Sequence, residues 1–433
     1  MALLVAAPGA RAIDDPALAT RTEILDNGLT VLTLEDPSTP VVSFQMWVKA
    51  GSRDESRVTG LAHLFEHMMF KGSKNVESER HAQIVQARGG RVNAFTTRDH
   101  TVYYEDVTAE SLPLVIELDA ERVANLIISE ETLTSEREVV LEERRLRTED
   151  RAGGRGIEAL LALAFQAHPY RWPVIGWRSD IEAADVAVCR EFFHAYYVPN
   201  NIVLSIVGDF DTETVLALIR RSFGRLEPAE VPRNPTQEPE QRGERRQTVY
   251  FDVRSPIFYV AWHAPAAGHA DSQALDVATQ ILSGGRSSRL YRHLVYEAEQ
   301  ALFAHGAYWE LQDAGLFYAV AGVRPGESIE EVEKLIFAEI DRLREEEVSK
   351  AELEKAKRQI EVGMINGLLT SHALANRIAI DHMTFGRIRP LDERLAAIQA
   401  VTAEDIKRVA SAYLLEGRRN VVRVIAPPEE AAP

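Results

Sequence analysis

A single cysteine, Cys189, stands in a chain of 433 residues. No disulfide can form within the chain and no cysteine-rich zinc site can be built, so any metal here is held by nitrogen and oxygen. Positive charge is also in short supply: 49 Lys and Arg face 66 Asp and Glu, a formal net charge of −17. That balance argues against a phosphate-binding surface of the kind nucleic acids require. It favours solubility, or attraction of cationic ligands. No stretch approaches the ~20 consecutive apolar residues of a membrane-spanning helix. Low-complexity tracts are missing too, and 45% hydrophobic with 27% charged residues describe a globular chain.

The length exceeds what one hydrophobic core usually organises, so two domains of roughly 200 residues are expected. Residues 226–247, "LEPAEVPRNPTQEPEQRGERRQ", carry four prolines, many charges and almost no apolar side chains, the composition of an exposed linker. It divides the chain into an N-terminal unit, residues 20–225, and a C-terminal unit, residues 248–427. The units resemble each other. "IEAADV" from Ile181 matches "VTAEDI" from Val401, and "NNIVLSIV" from Asn200 matches "NVVRVIAP" from Asn420, both at a separation of 220 residues. A weaker echo pairs "SFQMWVKAG" around Trp47 with "IFYVAWHAP" around Trp262. Alternating apolar strands interleaved with longer helices, without strict βαβ order, indicate a duplicated α+β unit. Ahead of both units, "MALLVAAPGARA", residues 1–12, reads as the tail of a secretory signal. Export to the periplasm is expected; without a basic n-region, the alternative is an irregular terminus on a cytoplasmic protein.

In "GLAHLFEHMMFKGS", residues 60–73, Leu61, Leu64, Phe65, Met68 and Met69 follow the stripe of a core-facing helix. His63, Glu66 and His67 share the opposite face. Two histidines one turn apart can converge on one ion, and a glutamate beside them can reach water bound to that ion. The chemistry this suits is metal-assisted hydrolysis with Glu66 as general base. A solvated helix face is the plain alternative, but the repeat argues against it. The corresponding segment from Ala274, "ALDVATQILSGG", contains neither histidine nor glutamate, so the cluster is an addition to the repeated scaffold. A third ligand is sought in "SEREVVLEERRLR", Ser135–Arg147, where spacing alone leaves Glu136, Glu138, Glu142 and Glu143 open. The same stretch also reads as an acidic, solvent-facing helix with Glu/Arg pairs one turn apart.

The order His63-Leu-Phe-Glu66-His67 resembles the inverted zinc motif of the inverzincins, the pitrilysin and insulinase metallopeptidases. The chain is similar to their small bacterial members, which look like the zinc-bearing (beta) subunit of mitochondrial processing peptidase. The resemblance covers most of the sequence, through "DNGLTV" (Asp26–Val31), "AGSRDE" (Ala50–Glu55), "GGRVNAFT" (Gly89–Thr96), "PVIGWRSDIEA" (Pro173–Ala183) and "GGRSSRLY" (Gly284–Tyr291). It implies two homologous domains, each a mostly antiparallel sheet of about six strands with helices packed on it, forming half of a clamshell. It implies one Zn²⁺ per chain. By the family's spacing the third ligand is Glu143, 76 residues after His67, and Glu136 becomes an acidic position supporting the site. It implies an edge strand on which a peptide is laid, with Asn93 and Ala94 in contact with it. Active single-chain members carry an arginine and, seven positions on, a tyrosine in the second half. Tyr296 and Phe303 stand there instead; Tyr296 carries no positive charge, and Phe303 lacks the hydroxyl an oxyanion donor requires. The resemblance therefore implies a paralogous partner, in a heterodimer, that brings the missing pair. The substrate class it implies is peptides or unfolded polypeptides, with basic peptides favoured by the acidic chain. The rival expectation is a non-catalytic assembly subunit.

Overall fold

The computed structural model describes residues 15–428, so the signal-like residues 1–12 lie outside the described part. The first half runs β1 (Arg21–Ile24), β2 (Thr30–Glu35), β3 (Val41–Val48), α1 (Leu61–Met68), α2 (Arg80–Gln86), β4 (Arg91–Thr96) and β5 (Thr101–Thr108). It continues through α3 (Leu112–Asn125), α4 (Glu130–Arg144), α5 (Ala152–Ala164), α6 (Arg178–Ala183), α7 (Val186–Tyr196), β6 (Ile202–Gly208) and α8 (Thr212–Ser222). The second half runs β7 (Arg245–Tyr250), β8 (Ile257–Ala264), α9 (Ser272–Ser283), β9 (Ala301–Trp309), β10 (Gly315–Val323), α10 (Ile329–Glu345) and α11 (Lys350–Asn366). It ends with α12 (Ser371–Phe385), α13 (Leu391–Ala400), α14 (Ala403–Tyr413) and β11 (Asn420–Ile425).

The duplication is complete at the level of topology. The first sheet has the order β1-β2-β6-β3-β5-β4 and the second β7-β11-β8-β10-β9, the same order without β1. In each, one neighbouring pair is parallel, β2 with β6 and β7 with β11, and the rest are antiparallel. The second sheet has five strands rather than about six for a local reason. The residues ahead of β7 are the proline-rich stretch, and proline has no N–H to give to a ladder.

Two sequence registers need correction. Caps place α4 and α11 at the expected separation, since Ser129 and Ser349 open them with matching capping boxes. The next matched helices are closer: α7 is capped by Asp185 and α14 by Thr402, 217 residues on, so "IEAADV" and "VTAEDI" are three residues out of register. The tryptophans are also not equivalent. Trp262 lies in the core beneath its own helices, where the first half has Met46, while Trp47 faces the other side of its sheet. The stretch read as a linker stops earlier than its composition suggests, because Arg245, Arg246 and Gln247 already pair with Asn420, Val421 and Val422. An arginine-rich strand at a sheet edge is polar for protection, not for disorder.

Each sheet is covered on one face by its own helices and on the other by a helix of the opposite half. Leu160, Leu161 and Ala164 of α5 are buried against Tyr259, Ala261, Val422 and Val424 of the second sheet. Leu374, Ala375, Ile378 and Ala379 of α12 are buried against Leu32, Trp47, Val102 and Val203 of the first. Each such leucine or isoleucine contributes on the order of 1.5–3 kcal/mol by leaving water. The halves are thus exchanged, and each contiguous range completes the other's core.

Candidate metal centre

Helix α1 begins at a fixed point. The buried carboxylate of Glu55 accepts from the N–H groups of Gly60 and Ala62, both at 2.8 Å, satisfying donors that a helix start leaves free. Gly60 has φ +89°, and a Cβ on Gly176 would stand 2.5 Å from its Cα, so both positions admit only glycine. Asp180 accepts from Thr59 N–H and Oγ–H at 3.0 and 2.8 Å. The motifs "AGSRDE" and "PVIGWRSD" are in this way the clamp that sets the pitch of α1.

The buried stripe Leu61, Leu64, Phe65 and Met68 turns His63, Glu66 and His67 toward α4, which packs across α1. The imidazole centroids are 4.9 Å apart. Glu143 Oε2 lies 3.3 Å from His67 Nε2, and its Oε1 lies 3.8 Å from His63 Nε2. Ligands ~2.0–2.1 Å from one tetrahedral ion stand roughly 3.3 Å from one another, so this donor set fits zinc. Behind His67, Glu136 Oε2 is 3.4 Å from Nδ1, and Lys71 Nζ is 2.7 Å from Glu136 Oε1. A carboxylate on Nδ1 keeps the proton there and turns Nε2 to the metal. His63 has no such support among the described residues, its Nδ1 being buried without a partner there.

The electrostatics follow from these contacts. Burial and the neighbouring His67 push His63 down to about 4. Burial works the same way on His67, but its bonds to Glu136 and Glu143 outweigh it and raise the imidazole to about 9. Hydrogen bonding to His67 holds Glu143 below the usual carboxylate range. Burial raises Glu66, against the donation it receives from Thr96 Oγ–H at 2.6 Å.

Thr96 escaped the sequence reading; the available signal was its place two residues after Ala94 on one strand face. Strand β4 is the terminal strand of its sheet, with an edge that no strand among the described residues pairs. Ala94 is buried toward α1, whereas the Asn93 side chain lies on the other face, beside Tyr104 in a cavity of about 820 Å³ at the start of α12, and accepts from Ala94 N–H at 2.9 Å. Asn93 therefore offers only its backbone to the metal side. Tyr296 is 76% and Phe303 40% exposed in the second half. Glu138 and Glu142 face away from the histidines, and Glu142 pairs with Arg145. A second convergence went unread: His81, Glu105 and Asp119 are fully buried together. Arg122 Nη2 fills the space between the carboxylates, 3.0 Å from Glu105 and 2.7 Å from Asp119, so the group is an internal ion cluster.

Two family models match. That of the insulinase family (peptidase family M16) covers residues 30–176, and that described as the peptidase M16 inactive domain covers 184–360. The chain is 32% identical over 404 residues to the zinc protease PqqE of Helicobacter pylori, spanning 92% of this chain and 91% of that one. This chain belongs to the insulinase (M16) family of peptidases. Within this family it is also 27% identical to a probable mitochondrial-processing peptidase subunit beta of Arabidopsis thaliana, over 92% of this chain and 76% of that one. The crystal structure of a protease from Helicobacter pylori superposes with a TM-score of 0.90 at 31% identity, covering 94% and 99% of the two chains. The crystal structure of a peptidase M16 inactive domain from Pseudomonas fluorescens shares the fold, with a TM-score of 0.84 at 20% identity and 94% and 99% coverage of the two chains. No helix among the described residues is long and apolar enough to cross a membrane.

Proposed function

We propose that this M16-family chain is the zinc-bearing subunit of a metalloendopeptidase, with His63, His67 and Glu143 holding one Zn²⁺ and Glu66 as general base. The observation that carries this reading is the donor geometry, two Nε2 atoms and one carboxylate at ligand-to-ligand distances with Glu136 holding the back of His67. Zinc bound there would acidify a water and polarise a peptide carbonyl. Glu66 would take the proton. Its Oε2 accepts from Thr96, which leaves Oε1 for the proton and fixes the side chain in place, and burial raises its basicity. The free edge of β4 would receive an extended peptide through main-chain hydrogen bonds at Asn93 and Ala94, a mode that reads backbone and suits unfolded polypeptides.

Tyr296 and Phe303, where relatives active as single chains have arginine and tyrosine, support a heterodimer with a paralogue that brings that pair. The same two residues, and the match to a model described as inactive, favour a second reading as a non-catalytic assembly subunit. Zinc analysis separates the two, since only the first has chemical use for all four groups. The Ala-Arg-Ala ending of residues 1–12 supports a periplasmic location. The deciding experiment is Glu66→Gln, assayed on unfolded peptides with and without such a partner. Zinc should stay stoichiometric while turnover drops by several orders of magnitude; unchanged turnover rules Glu66 out as the base.

A further inference from the structure

Around the cluster, positive side chains are almost all committed to structural pairs. Lys71 serves Glu136 and Glu79. Arg144 is held by Glu149 and Glu158, Arg145 by Glu142 and Asp150, and Arg178 by Glu149 and Glu182. These pairs pin the turn at the end of α4, where residues Arg145–Glu149 widen into a π-helical turn, a feature that recurs at functional sites. Arg147 differs. Its side chain is 74% exposed, and its one ion-pair partner among the described residues is Glu143, with Nη1 2.6 Å from Oε1. It stands on the open side of the cluster, and its charge acts on His63 and Glu66 as well.

A guanidinium has five N–H donors in a planar fork. One contact with Glu143 leaves most of that fork facing solvent at the mouth of the site. The acceptor that matches it is another carboxylate, taken through two parallel hydrogen bonds. We infer that Arg147 is a specificity-determining residue, binding a carboxylate of the peptide, either an acidic side chain near the scissile bond or the free C-terminus. The inference rests on the peptidase reading above. It also makes the local preference differ from the global one: the net charge of −17 draws cationic chains, while Arg147 selects an anion at one subsite.

The experiment measures binding, so it does not depend on turnover. Full-length Glu66→Gln protein, loaded with zinc, is titrated with fluorescent peptides in two matched pairs: Glu against Gln near the centre, and free acid against amide at the C-terminus. The acid should bind about tenfold more tightly than its neutral analogue in one pair, the size of one charge-assisted contact, and that pair names the source. Arg147→Ala should collapse the ratio toward one, and Arg147→Glu should invert it. Equal affinities within both pairs, or a ratio untouched by Arg147→Ala, overturn the assignment while leaving the peptidase reading standing. So does loss of stoichiometric zinc from Arg147→Ala, which would make the residue a brace for Glu143. Failure to bind any peptide overturns both.

Discussion

Counted from their serine caps, helices α4 and α11 are the same helix in two halves, yet α4 carries Glu136 and Glu143 where α11 carries Ala356 and Gly363. Aligned by its buried stripe, α9 presents Asp276, Thr279 and Gln280 where α1 has His63, Glu66 and His67. Leu133 of α4 and Leu353 of α11 are both buried at matching positions. One scaffold therefore builds the same core twice and a metal-type donor set once. The scaffold has no need of these five polar groups, since the second half folds without them. They gather two imidazoles and three carboxylates in a part-buried place, an arrangement that desolvation opposes unless a cation is held there.

The comparison can be broken by making the first half like the second. Glu143→Gly has the largest expected effect, loss of stoichiometric zinc measured by metal analysis of the purified protein. The exchange of helices comes next. Ile378→Ala and Leu161→Ala each open a cavity beneath the opposite half's sheet and should cost about 2–5 kcal/mol in denaturant unfolding. Unequal, independent melting of the two halves would contradict the exchanged cores. Glu136→Ala, which copies Ala356, should weaken zinc about 10–100-fold through loss of the bond to His67 Nδ1; competition with a chelator reads this out.

Acidity tests the same pair of groups. Zinc takes only the neutral imidazole, and His67 without metal holds its proton up to about 9. Below that value each zinc bound must displace a proton, so affinity should fall about tenfold per pH unit. A pH-independent affinity between 6 and 8 would show that Glu136 and Glu143 do not charge His67. The smallest effect belongs to Thr96→Val. Removing its hydrogen bond raises the Glu66 carboxyl further, so the acid limb of the kcat/KM profile should move to higher pH with only a few-fold loss at the optimum.

His63, Glu66 and His67 were legible because a helix repeats its face every third or fourth residue, and Glu143 because family spacing singles it out among four glutamates. Thr96 was not, since its partner is on another element and strand alternation reveals a face but not what the face meets. The direction of the Asn93 side chain was not legible for the same reason: it neighbours Ala94 in sequence, yet successive strand residues point to opposite sides. The cluster of His81, Glu105, Asp119 and Arg122 joins three elements, and no local pattern marks such a convergence.

The sequence by itself determined the duplication, the α+β class and the inverted histidine motif, because caps, periodicity and turn residues act within a few positions of the chain. Tertiary structure alone decided that α5 and α12 change places, that Thr96 meets Glu66, and that Arg147 stands exposed beside Glu143. Those outcomes depend on how helices cross and which faces they bury, and burial is settled between segments far apart in the chain.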